Sequence, residues 1–105
     1  MMVLASPVRA HAILMASDPR HAATIGTGER VLVLRFNSRL DHARSRLTLV
    51  RPGKVQDVLP LAAGSDDALA ASATLAPGAH VLRWQVLAID GHITRGEVPF
   101  TVVAP

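Results

Sequence analysis

Apolar and polar residues alternate in short runs along most of this chain, and turn-forming residues separate the runs. A period of two places successive side chains on opposite faces of an extended strand. Residues 31–36 show it most clearly, with Leu32, Leu34 and Phe36 on one face and Arg35 on the other. Residues 46–51 follow the same rule, with Leu47 and Leu49 inward. The stretch 80–89 predicts the longest strand: His80, Leu82, Trp84, Val86 and Ala88 share one face, and Arg83 and Gln85 take the other. Residues 97–103 close the pattern with Val98, Phe100 and Val102 inward. Weaker strands are predicted at 12–16, stopped by Ser17-Asp18-Pro19, and at 55–61, where Pro60 points to a sheet edge. A further weak strand is predicted at 69–73, where the alanines also allow a helical turn. Residues 22–29, with Gly26 and Gly28, read as loop, and 37–45 read as a polar loop with room for a helical turn. Pro52-Gly53 and Ala76-Pro77-Gly78 are turn signals. The 3.6-residue period of a helical bundle is missing. About seven strands at this spacing predict an all-β, Ig-like Greek-key β-sandwich.

Composition narrows the picture. A chain of 105 residues is expected to form one domain. Half its residues are hydrophobic but only 3% are aromatic, so branched aliphatic side chains must fill the core. The absence of cysteine excludes disulfides and thiolate metal sites. Any metal must be held by nitrogen, oxygen or methionine sulfur. No apolar run approaches the roughly 20 residues needed to span a bilayer, so a soluble protein without membrane insertion is expected. A monomer is the expected state, although the sequence does not fix it. The net charge is +3, and Arg35, Arg39, Arg44, Arg46 and Arg51 lie close together. They read either as a phosphate-contacting patch or as a solvated sheet face. The scarcity of aromatic stacking residues favours the second, so no nucleic-acid partner is expected.

Residues 1–10 do not read as part of the fold. Val8 and Ala10 stand where a signal peptidase takes small residues, and His11 follows. The segment resembles the end of a secretory signal whose basic and apolar regions are truncated; a plain N-terminal arm is the alternative. The expected division is therefore a residual leader at 1–10 and a domain at 11–105.

The candidate chemistry lies with the histidines, of which there are five. Asp90 and His92 are two apart at the end of the predicted long strand, and Gly91 between them lets the backbone bend. A carboxylate and an imidazole so placed can converge on one ion; taken alone, the segment reads rather as a turn in which Asp90 makes a local hydrogen bond. Cleavage after Ala10 makes His11 the N-terminus. It then offers two nitrogens from one residue, its α-amine and its ring Nδ1. With His92 and Asp90 this gives a nitrogen- and oxygen-rich set suited to Cu(II), which tops the divalent affinity order.

These residues resemble those of the CopC family of periplasmic copper-binding proteins. The matching segments are His11-Ala12 followed by Ser17-Asp18-Pro19, then VLVLRFN at 31–37, Pro77-Gly78, Arg83-Trp84, IDGHITRG at 89–96, and Pro99-Phe100-Thr101-Val102. The resemblance implies a cupredoxin-like Greek-key sandwich that binds one Cu(II) per chain through His11, Asp90 and His92. It implies a periplasmic carrier or buffer in copper homeostasis and resistance, not an enzyme, with a CopD-like inner-membrane copper protein as a partner. Two departures stand out. Some members carry a methionine-rich Cu(I) loop, but residues 47–61 contain no Met, and Met15 is expected in the core. Many members have an acidic residue soon after the second strand, where this chain has Ser38 and Arg39. His80 is expected to be a packed, hydrogen-bonded ring, and His21 and His42 are loop residues that could add a ligand. The competing functions are a metal-free Ig-like interaction module and a copper-dependent oxidative enzyme. The second needs exposed aromatics, whereas Trp84 is predicted inward.

Overall fold

The computed structural model describes residues 12–105. The predicted leader and His11 lie outside the described residues. Alternation of buried and exposed side chains builds eight strands: β1 (Leu14–Asp18), β2 (Ala23–Gly26), β3 (Gly28–Phe36), β4 (Arg46–Arg51), β5 (Val55–Leu59), β6 (Ala68–Leu75), β7 (Gly78–Leu87) and β8 (Ile93–Val103). They form two sheets, β1-β3-β6 and β2-β8-β7-β4-β5. The sheets face each other as a sandwich around one core. Leu32, Leu34, Phe36 and Leu69 come from the smaller sheet, and Leu47, Leu49, Leu82, Trp84, Val86, Val98, Phe100 and Val102 from the larger. Phe36 and Trp84 meet edge to face across the layers, ring centroids 5.0 Å apart, the arrangement that aromatic quadrupoles favour.

Several expectations need correction. Residues 22–29 are not a loop: 23–26 form β2, which pairs in parallel with the end of β8, Ala23 opposite Phe100 and Gly26 opposite Val103. The glycines there mark the passage from β2 to β3, with Gly28 at φ 108°. This raises the strand count from about seven to eight. The longest strand is β8, 11 residues, rather than β7, with 10. Met15 is not in the core but 64% exposed. The β1–β3 register shifts between Leu14 and Ala16, and such a bulge turns the extra residue out of the alternation. The Ala-rich 68–75 stretch is a full strand, paired along β3 from Gly28–Leu75 to Arg35–Ala68. In the 37–45 loop, His42–Arg44 form a 3-10 turn whose Asp41 N-cap accepts from the Arg44 N–H at 3.3 Å.

Gly96 faces Trp84 across β7 and β8. A Cβ there would lie 2.4 Å from the Trp84 ring. Gly96→Ala must push the indole into a packed core, and such overpacking typically costs about 1–3 kcal/mol. The variant should melt earlier, with altered Trp84 fluorescence. An unchanged melting temperature would show that the ring has room to move.

Candidate metal centre

The candidate ligands sit on the hairpin between β7 and β8. The Ala88 N–H donates to the His92 carbonyl at 2.9 Å and the Gly91 N–H to the Ala88 carbonyl at 2.8 Å, which closes the loop. Gly91 has φ 98°, a region that side chains rarely adopt. This glycine therefore sets the bend that separates Asp90 from His92. The 39–41 segment holds the loop's base: Ile89 N–H donates to the Arg39 carbonyl, Asp41 N–H to the Leu87 carbonyl, and Leu40 bridges Ala88.

Asp90 and His92 are brought together. His92 Nδ1 lies 3.6 Å from Asp90 Oδ1, and both side chains are about half exposed. The same carboxylate oxygen accepts the His92 N–H at 3.3 Å, so the local turn contact and the convergence coexist. Two donors each about 2 Å from one ion are roughly 2.8 Å apart at right angles and about 4 Å apart when opposite. The observed separation falls in that interval, so the pair fits a shared metal ion.

The start of the described chain is tied to the same place. Ala12 is buried, and its carbonyl accepts a 3.0 Å hydrogen bond from Thr94 Oγ1, two residues beyond His92. Its neighbour Ile13 donates its N–H to Asn37 Oδ1 at 2.7 Å and accepts from the Asn37 N–H at 3.0 Å. Thr94 belongs to the larger sheet, and Asn37 follows β3 of the smaller one. Together they tie residues 12–13 to both sheets, with Ala12 buried and Ile13 exposed. Sequence reasoning singled out neither residue for this role, although both lie within its quoted segments, VLVLRFN and IDGHITRG.

The other histidines are elsewhere. His42 Nε2 donates to the Ala68 carbonyl at 2.7 Å, a tie between loop and β6. His80 is 2% exposed, bonds the Gly78 carbonyl through Nδ1 at 3.0 Å and stacks on Phe100; its buried Nε2 has no partner. His21 is exposed. Among the described residues no group of three or more metal-ligating side chains occurs; a metal ion held by Asp90 and His92 would take its further donors from elsewhere. Phe36, Trp84 and Phe100 are all buried, and Trp84 faces inward as its position in the alternation predicts. Of the five clustered arginines, Arg35, Arg39, Arg44 and Arg51 pair with Asp67, Asp66, Asp41 and Asp57. Those four form a locally neutralised surface.

The model of the CopC domain matches residues 14–103. The chain belongs to the CopC family. CopC from Methylosinus trichosporium OB3b superposes with a TM-score of 0.78 at 26% identity, covering 90% of this chain and 95% of that one. PcoC, a methionine-rich copper resistance protein from Escherichia coli, gives 0.71 at 20% identity, covering 90% and 100%. Murine CRIg shares the fold alone, with a TM-score of 0.55 at 10% identity over 90% and 98% of the chains. No curated protein sequence matches. The CopC match begins just after the Ala12–Ile13 tie and includes the whole Asp90–His92 hairpin. The methionine-rich character of PcoC is not shared: this chain has three methionines, two of them at positions 1 and 2.

Proposed function

We propose that this CopC domain binds one Cu(II) ion in the periplasm, through His11, Asp90 and His92, as a carrier or buffer in copper homeostasis and resistance. The observation that carries the reading is the Thr94–Ala12 hydrogen bond. It fixes Ala12, the residue that follows His11 in the sequence, against Thr94, two residues beyond His92. Removal of residues 1–10 would free the His11 amine, and the ring and amine of one residue would then chelate the ion. A half-exposed site suits a protein that must give its cargo up, and a CopD-like inner-membrane copper protein is the proposed recipient or donor.

Titration of the chain that starts at His11 should saturate at one equivalent of Cu(II), with a tetragonal, nitrogen-rich EPR spectrum. Two tight equivalents, or preference for Cu(I), would overturn the assignment. No tight binding at all would favour the metal-free interaction module instead.

A further inference from the structure

The outer face of the larger sheet carries a groove of about 440 Å³ over β4, β7 and β8. Small-ligand sites occupy roughly 300–1,000 Å³. Two rows of side chains cross it. Pairing of Thr48 with Arg83 and of Arg83 with Glu97 makes one row, and of Arg46 with Gln85 and of Gln85 with Arg95 the next. The first row is internally neutral, because Arg83 Nε donates to Glu97 Oε2 at 3.1 Å. The second has an amide where the first has a charge. Gln85 Oε1 accepts from Arg95 Nε at 2.8 Å, and Arg46 forms no ion pair among the described residues. Two guanidiniums thus stand two strands apart, about 10 Å between backbones, without a carboxylate between them. Five of the described arginines, Arg35, Arg39, Arg44, Arg51 and Arg83, do have carboxylate partners.

We propose that this groove binds a small anion carrying at least two carboxylates. Arg46 and Arg95 each take one carboxylate, in the planar, charge-assisted geometry that guanidinium favours. Gln85 offers its amide N–H between them, and the buried Thr48 forms part of the groove's lining. The site is independent of the copper reading: it lies on the sheet's outer face and uses no residue of the hairpin loop.

The metal-free protein should be titrated at low ionic strength with citrate, succinate, acetate and inorganic phosphate, followed by calorimetry and amide NMR. Citrate and succinate should bind with a Kd of about 1 mM or below and acetate at least about tenfold more weakly, with shifts centred on β4, β7 and β8. Arg46→Ala/Arg95→Ala should weaken citrate about tenfold or more. Gln85→Glu should do the same without lowering the melting temperature, because it supplies the missing carboxylate from within. Citrate binding that survives both variants would overturn the proposal, as would its absence at 10-fold higher concentration than that Kd. Phosphate binding more tightly than citrate would overturn the carboxylate assignment.

Discussion

A chain that begins at His11 is expected to bind Cu(II) roughly 100-fold or more tightly than the same chain with residues 1–10 attached. With Ala10 in place, the His11 nitrogen is an amide whose lone pair is delocalised into the peptide bond, and it binds a metal only after losing a proton. With Ala10 removed, it is an amine with an unperturbed pKa of about 7.7–8.0, which copper can deprotonate near neutral pH. The free N-terminus also joins two donors in one residue, and a linked second donor commonly adds about 10²–10⁴ in apparent affinity. Both chains should fold alike, because both contain all eight strands of the described residues, Leu14 to Val103. Competition against one chelator in one buffer, with circular dichroism as the fold control, makes the comparison. Equal affinities would remove the α-amine, and with it His11, from the ligand set.

His92→Ala should weaken Cu(II) by more than the roughly 10–100-fold typical of losing an outer-shell partner, since it deletes a proposed ligand. The hairpin should survive, because its closing bonds run through the backbone of Ala88, Gly91 and His92. The other histidines should behave differently. His80→Ala opens a cavity beside Phe100 and should cost about 2 kcal/mol or more of stability, with little change in copper affinity. His42→Ala removes the tie to the Ala68 carbonyl and should also be read in the melting curve. His21→Ala should change neither. If His42→Ala or His21→Ala damages copper binding as much as His92→Ala, the ligand assignment is wrong.

The parts of this fold legible in the sequence are those where one face is buried and alternation is strong. β3, β4, β7 and the inward positions of β8 follow from that pattern, as does the His80 register. β2 was not legible, because its four residues lie beside Gly26 and Gly28 and gain their strand character from parallel pairing with β8. That partner is more than 70 positions away, beyond the reach of local periodicity. β6 was only half legible: alanine is a weak strand former, and pairing with β3 decides its state. Met15 departs from the alternation for a local reason, a bulge that shifts the phase of β1. The juxtaposition of Asp90 and His92 was legible because a glycine between two polar residues at a strand end is a local signal. The Thr94 and Asn37 ties were not. They join residues 82 and 24 positions apart, and threonine and asparagine have many other uses.

The hydrogen bond from Thr94 to Ala12 spans almost the whole chain. On the proposed reading, the copper ligands therefore come from opposite ends of the polypeptide and meet only once the last strand has docked. A newly exported, still unfolded chain holds the same residues but not the site. Copper would then bind the native state in preference to the unfolded one, and loading would raise stability by RT ln(1 + [Cu]/Kd). Local unzipping of β1, the edge strand of the smaller sheet, would loosen the Ala12 end of the proposed site, whereas β8 is held on both sides by β2 and β7 and supplies Val98, Phe100 and Val102 to the core. Metal release thus need not wait for the whole molecule to open, and a membrane partner that competes for β1 would have a mechanical route to the cargo.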